Sequence, residues 1–413
     1  MTNNQKLAGR RIAVIGAGVV GACCAAQLTL QGAQVTILDR AVPGMSGSSR
    51  GNAAHIAASE IIPMATPGIA FAAIGMLLDA KSPLKVPISQ WPRLTPWLSR
   101  FILNSKKSIH LQHIKQLAEI NQSVFTDVEQ LFERTGLSNQ LRRDGALYLY
   151  ETANSLAKAA SGFAIKSSYG FASQLITSDE LYALEPNLAK VFAGAYHIPQ
   201  WVTVQDPQKV VAGLIDFCLA NGALLHCEEV VDFKWQQQAD TAQTGVNLNY
   251  KNGRQAQFDQ VVLSAGIWSK PLLKKLAANR LLEAERGYNL TYTDPGFNLQ
   301  RSIVFGDRGV VATPLDHGLR IGGWAEFAGT KRPPNPKYFT AMDSIAAEMF
   351  PKLQRAQSYS WMGHRPSTPS STPIIERSVA NPNIIFATGH GHLGLTQGPS
   401  TAKRVLELLV SEV

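Results

Sequence analysis

Two periods of apolar residues run along the chain and place most of its elements before any chemistry is considered. Ile12 to Ile15 is an unbroken apolar run that predicts a buried strand, Val19 to Gln31 predicts a helix, and Val35 to Leu38 predicts a second strand ending in Asp39. Leu117, Ile120, Val124, Val128 and Leu131 recur at spacings of three and four, as on one long amphipathic helix. In Gly145 to Tyr150 the period changes to two, with Tyr148 and Tyr150 on one face and Leu147 and Leu149 on the other. Pro83 to Pro96, rich in Pro and Trp, reads as irregular, and Ser178 to Leu184 reads as a short helix capped by Ser178.

Asp206 and Pro207 suit the N-cap and first position of a helix that runs to Ala220. The strand and helix alternation of the N-terminus then returns, with strands at Ala223 to Val231, Val246 to Tyr250, Val261 to Leu263 and Ile384 to Ala387, and a closing helix with Pro399 at its first position. In between, Arg286 to Thr293 and Ile303 to Phe305 read as strands, Val310 to Pro314 and Leu319 to Trp324 as a hairpin, and Phe339 to Met349 as a helix. A chain that leaves a sheet and returns to it implies a discontinuous domain. The expected fold is α/β: a Rossmann-like domain from residues 1–60, 206–280 and 355–413, and an α+β domain on a mainly antiparallel sheet from 61–205 and 281–354.

The turn between the first strand and helix carries Gly16, Gly18 and Gly21 in GxGxxG spacing. Gly16 permits the sharp turn, Gly18 lets the backbone approach a pyrophosphate, and Gly21 lets the helix pack on the sheet, with the anion at the helix N-terminus beside Val19 and Val20. Asp39, followed by Arg40, is placed to accept hydrogen bonds from an adenosine ribose. The loop after it offers Ser48, Ser49, Asn52 and Ala53 to phosphates or a ring, with Arg50 and His55 as further polar contacts. These residues point to a dinucleotide and leave FAD and NAD both open.

Composition adds exclusions. The 413 residues carry a net charge of +9, which favours anionic partners. The charge is scattered, so no nucleic-acid partner is expected. Four cysteines without CxxC spacing form neither a disulfide framework nor a metal site. The start, MTNNQKLAGRR, has no apolar targeting segment, so a cytoplasmic protein is expected. Ile61 to Leu78 is uncharged and mostly apolar, but Pro63 and Pro67 make it a poor transmembrane helix. Two readings of it stand: a buried or lid-like segment, or a monotopic membrane or quinone-facing surface, peripheral on the inner face of the cell membrane.

The ordered motifs GAGVVG, SSRGNAAHI, RGY (286–288), GGWAE, GHRPSTP and TGHGHLGLT resemble the D-amino-acid oxidase superfamily of FAD-dependent oxidoreductases across essentially the whole chain, and most closely the bacterial D-amino-acid dehydrogenases. That resemblance implies FAD. It implies that Gly16, Gly18 and Gly21 hold the pyrophosphate, Asp39 the ribose, Ser49, Asn52 and Ala53 the flavin, and Val230 the adenine. Ala265 and Gly266 would form a small turn beside FAD, and Gly391, His392, Leu393, Gly394, Leu395 and Thr396 the turn at the flavin pyrimidine edge. Arg365 would bind a substrate carboxylate, Tyr288 would supply a hydroxyl to that carboxylate or to the amine, His392 would be a polar group over the flavin, and His55 a polar loop residue, the two histidines being candidates for substrate contact. Ser370 and Glu376 stand where the family usually carries aspartate and glycine.

The expected reaction is oxidation of the Cα–N bond of a D-amino acid, with hydride transfer to flavin N5. The resulting imino acid would hydrolyse to a 2-oxo acid and ammonia, and the electrons would pass to a quinone or oxygen. Two alternatives remain at this stage: a dehydrogenase or oxidase of cyclic or secondary amino acids (D-hydroxyproline, proline, sarcosine, glycine), or a flavin subunit docked in a membrane electron-transfer complex.

Overall fold

The computed structural model describes residues 6–44, 47–69, 84–235 and 245–411. The apolar runs assemble a six-stranded sheet, in the order Leu224–Cys227, Gln34–Asp39 (β2), Arg11–Ile15 (β1), Gln260–Leu263, Ile384–Thr388 and Ile374–Arg377. All neighbours are parallel except the last pair. Parallel strands are buried on both faces, which is why these runs do not alternate. One face packs on Val19–Leu30 (α1), Pro207–Ala220 and the closing helix Gly394–Val410. The other packs on a three-stranded sheet, Val230–Lys234, Val246–Tyr250 and Gln255–Phe258, and the short helix Ser269–Lys275.

α1 is almost wholly buried, so its Ala22, Cys23, Cys24, Ala25 and Ala26 are small on every side. Burial pushes the Cys24 thiol up to about 12, which keeps it protonated and inert.

The second region is a nine-stranded sheet, running Ser358–Ser367, Glu283–Tyr292, Gly318–Glu326, Val310–Leu315, Ser302–Phe305, Ala146–Tyr150, Gly194–Ile198 and Gln174–Thr177, with Leu84–Lys85 added beside Gly318–Glu326. It is mainly antiparallel, with parallel pairs at Ser302–Phe305 against Ala146–Tyr150 and at Leu84–Lys85. Helix Pro336–Met349 covers one face.

Several boundaries differ from expectation. The helix expected through Leu117 and Leu131 is two, Lys107–Asn121 and Val124–Thr135. Pro83 to Pro96 is not wholly irregular: Pro92 sits in the first turn of a helix, Trp91–Asn104, where no backbone N–H is needed. The cap of Ser178–Leu184 is Thr177, whose side chain and that of Glu180 bond each other's backbone N–H in a capping box. Ala223 to Val231 splits at Glu228 and Glu229 into strands of two different sheets. Ser358–Ser367 pairs along its full length with Glu283–Tyr292, so the segment from 355 gives its first strand to the antiparallel sheet and not to the Rossmann-like one. The closing helix begins at Gly394, and Pro399 lies inside it. Of Ile61 to Leu78, Ile61 and Ala65 are buried, and 70–78 lie outside the described residues. Among the described residues no helix is long and apolar enough to cross a membrane.

Candidate active site

A cavity of about 440 Å³ runs along the C-terminal ends of the parallel strands, where open α/β sheets bind their ligands. Gly16, Gly18, Val19, Val20, Asp39, Arg40, Ser48, Ser49, Asn52, Ala53, Val230, Ala265, Gly266, Gly391, His392, Gly394 and Leu395 line it. Gly16 holds φ +105°, and a Cβ there would come within 2.6 Å of Ala265 Cα. Gly21 lies behind the wall, where a Cβ would overlap the Gly16 carbonyl, so it serves the packing of α1 on β1. Asp39 accepts from the Ala17 N–H at 2.7 Å and the Ala41 N–H at 3.0 Å, which ties the tip of β2 to the glycine turn. Val19 N–H donates to Ser49 Oγ at 2.9 Å. The Arg40 guanidinium lies 3.9 Å from the Trp268 ring centroid.

Side chains of the antiparallel sheet hold the loop at 48–54 by its backbone carbonyls. Asn289 donates to Gly51 O at 2.9 Å, Arg320 to Asn52 O at 2.7 Å and Thr313 to Ala53 O at 2.9 Å. In return Ser48 donates to His364 O. No local sequence pattern marks these three anchors, because their role depends on which strand face meets the loop.

A second cavity of about 260 Å³ opens on the far side of this loop and shares Gly51, Asn52, Ala53, Trp361, Arg365 and His392 with the first. Strand alternation builds it. Arg365 pairs with Glu285, Gly363 with Gly287, Trp361 with Asn289 and Tyr359 with Thr291. Positions facing the cavity therefore alternate with positions facing helix Pro336–Met349.

Gly287 and Gly363 leave room on the cavity side. A Cβ on Gly287 would overlap the Arg365 guanidinium, and one on Gly363 or Gly51 would overlap the Trp361 indole. Arg365 Nη1 donates to Glu285 Oε1 at 2.8 Å and to Trp324 O at 2.9 Å, while Ser367 Oγ donates to Glu285 Oε2 at 2.5 Å. Trp324 sits at φ +59°, next to an irregularity in the strand pairing. Burial pushes the Glu285 carboxyl up, but Arg365, His392 and Ser367 hold it below its ordinary range. Nε and Nη2 of Arg365 make no hydrogen bond among the described residues.

Tyr288 is a correction. It lies on the opposite face of its strand from Gly287, and its hydroxyl donates to Glu326 Oε2 at 2.6 Å in a buried cluster with Arg286. That places its ring under helix Pro336–Met349, against Tyr338 and Phe339, with its hydroxyl proton already given to Glu326 and not to a substrate carboxylate, although the residue still borders the second cavity. Thr396 and Leu393 border the second cavity and not the first. Thr396 Oγ1 accepts from Ala57 N–H at 3.0 Å and donates to His55 O at 3.2 Å, so it ties the 55–57 segment to the closing helix.

His55 faces the second cavity, and burial pushes its imidazole down to about 4. Its Nε2 is 2.7 Å from Thr313 Oγ1, whose own proton goes to Ala53 O. Nε2 therefore carries the hydrogen, and Nδ1 is left as the acceptor. His392 is exposed to both cavities; enclosure by protein lowers its pKa, opposed by Glu285 and Glu60. Away from the cavities, Glu376 forms a two-point pair with Arg280, and Ser370 bonds Thr372.

A family model described as FAD dependent oxidoreductase matches residues 11–408. The chain is 30% identical over 410 residues to a D-amino-acid oxidase of Bradyrhizobium diazoefficiens, covering 97% of this chain and 95% of that protein. Among solved structures, a glycine oxidase from Geobacillus kaustophilus superposes with a TM-score of 0.71 at 22% identity, covering 97% of this chain and 95% of that one. An L-proline dehydrogenase from P. horikoshii gives 0.69 at 18%, covering 98% and 94%.

The residues present fit FAD. The larger cavity is one continuous cleft from Asp39 and Val230, past the glycine turn, to Trp361 and the start of the closing helix. The first backbone N–H groups of both α1 and the closing helix have no carbonyl partner within their helices and suit the anionic parts of the cofactor. The chain belongs to the D-amino-acid oxidase family of FAD-dependent oxidoreductases and is an oxidoreductase of amino-acid-type substrates.

Proposed function

We propose that this chain oxidises the Cα–N bond of a D-amino acid, giving an imino acid that water converts to a 2-oxo acid and ammonia. The observation that carries this reading is the position of Arg365, at the seam of the two cavities, with Nε and Nη2 unpartnered. A planar carboxylate takes two parallel hydrogen bonds from that edge of a guanidinium. Glu285 and Trp324 O fix the other edge, so the fork is oriented before substrate arrives. Bound FAD supplies the acceptor for the electron pair of the Cα–H bond.

The chain's own residues bind, orient and enclose. Trp361 and the loop at 51–53 wall the point where the cavities meet, and the neutral His392 ring borders both. The lowered pKa of His392 means that it adds no second positive charge there near neutral pH.

Arg365→Ala is expected to raise KM at least about 100-fold with flavin absorbance retained, and Arg365→Lys to recover little of it, because an ammonium lacks the fork. An unchanged KM would remove Arg365 from this role. Anaerobic bleaching by D- and L-amino acids, glycine, sarcosine and hydroxyproline isomers tests the substrate class, and return of colour with air or with a quinone separates an oxidase from a dehydrogenase.

A further inference from the structure

The smaller cavity has a polar group at each end. Arg365 stands at one, on the edge strand of the antiparallel sheet, and Glu60 stands at the other. Glu60 comes from an irregular segment fixed on three sides: Ala57 N–H on Thr396, Ala58 O on Asn121 at 2.8 Å, and Ser59 Oγ on Trp201 at 2.7 Å. A carboxylate held so firmly at a cavity wall has a defined direction.

Its two oxygens are unequal. Oε1 accepts from Tyr148 OH at 2.6 Å and from Lys166 Nζ at 2.6 Å. Oε2 has no partner among the described residues, and the side chain keeps 24% of its surface open. Lys166 is 8% exposed and packs against the Tyr148 and Phe163 rings. Burial pushes Glu60 up, but Lys166 and Tyr148 hold it below the ordinary carboxylate range, while burial and Glu60 raise the Tyr148 phenol. Glu60 is thus an ionised acceptor with one oxygen saturated and the other free to bond within the cavity.

We propose that Glu60, backed by Lys166 and Tyr148, is a second specificity subsite, which accepts a hydrogen-bond donor at the end of the substrate's side chain. The inference rests on Arg365 as the carboxylate anchor. Arg365 reaches Trp324 O on the third strand of the sheet order, and the strand carrying Tyr148 lies three strands farther on, about 14 Å along the sheet. The α-amine is attached to the carbon next to the carboxylate and stays near Arg365, so Glu60 meets the far end of the molecule. Lys166 already balances the charge of Glu60. The subsite therefore selects for donor capacity, whether amine, amide or hydroxyl, and against anionic or apolar ends.

Flavin reduction with length-matched pairs tests this, in whichever enantiomer reduces the flavin: lysine against norleucine and glutamine against glutamate. In the wild type the donor of each pair is expected to exceed its partner in kcat/KM by about 10- to 100-fold. Glu60→Leu alone would strand the Lys166 ammonium, so the variant to use is Glu60→Leu/Lys166→Met, which removes the pair together. In it both ratios should fall below about threefold. Wild-type ratios within about threefold of one, or ratios unchanged in the double variant, overturn the subsite, and the wild-type ratios need no variant to fold. Flavin reduction without discrimination removes only this inference. No reduction by any amino acid removes the proposed function and the subsite with it.

Discussion

Around the larger cavity the protein presents largely main chain, in glycine turns and the starts of two helices. Around the smaller one it presents side chains drawn from six neighbouring strands, among them Arg365, Asn289, Arg320, Thr313, Val304 and Tyr148. A cofactor of fixed shape is held by backbone geometry, which tolerates little change at a few small residues. A substrate is read by polar side chains, each of which needs its own partner. The two regions should therefore fail differently when they are altered.

The largest expected effect is at the backbone. Gly21→Val would drive a side chain into the Gly16 carbonyl and Ser264 Oγ, and Gly16→Val would do the same against Ser264 O and Ala265 while also straining a φ of +105°. Each should cost more than about 4 kcal/mol and yield protein without bound flavin, seen as lost visible absorbance and a collapsed thermal transition. Flavin retained by Gly21→Val would break the comparison, since it would show the turn to be adaptable.

This division also governs what was legible in the sequence. The glycine turn, its helix and Asp39 are contiguous, so local spacing revealed them, and apolar runs marked the parallel strands of their sheet, with Leu224–Cys227 merged into the strand that follows it. The smaller cavity is assembled across strands that lie far apart in sequence. In Glu283–Tyr292, the RGY motif points to Tyr288, whose hydroxyl goes to Glu326, while on the other face Glu285 bonds Arg365, Asn289 bonds the loop at Gly51 and Gly287 leaves room for the guanidinium. Period two was visible there, but which face was which depended on the pairing with Ser358–Ser367 and on the helix beneath. Glu60 and Trp201 come from irregular segments that carry no period at all.

Next in size is Glu285→Gln. It removes the negative half of an ion pair in which Glu285 is 3% and Arg365 25% exposed, and it should cost about 3 kcal/mol in urea unfolding. The folded pKa of Glu285 is lowered, so its contribution is present above about pH 4.3, the unfolded value, and is lost as pH falls through the folded one. The difference in stability between wild type and variant should therefore narrow in acid. A constant difference down to pH 3 would remove the charge from the account and leave only packing.

Both regions also contain histidines buried in the neutral form, with His390 pushed down to about 3 and His55 to about 4 by burial. The unfolded chain binds these protons near pH 6.5 and the folded chain does not, so unfolding takes up protons and stability falls as pH drops from about 6.5 toward 4. Each histidine adds about 1.4 kcal/mol per pH unit to that slope. His390, bonded to Thr401 at 2.8 Å, belongs to the cofactor side, and His55 to the substrate side. His390→Gln and His55→Gln should each flatten the slope by about one proton. A slope unaltered in either would assign the acid lability elsewhere.

The smallest effect sharpens the comparison most, because it separates two faces of one strand. Tyr288 and Gly287 are adjacent and both border the smaller cavity, but the Tyr288 hydroxyl is turned away to Glu326. Tyr288→Phe removes the hydroxyl that donates to Glu326 at 2.6 Å, and Glu326 keeps Arg286 at 3.0 Å. The cost should be about 1 kcal/mol, since a charged partner loses one of its donors while Arg286 and the ring packing against Tyr338 and Phe339 remain. Turnover should stay within about threefold, whereas Gly287→Ala, on the neighbouring position, forces the Arg365 guanidinium aside and should raise KM well beyond that. If Tyr288→Phe raised KM as much as Gly287→Ala does, the hydroxyl would have to reach the substrate, and the alternation that builds the smaller cavity would not hold at this position.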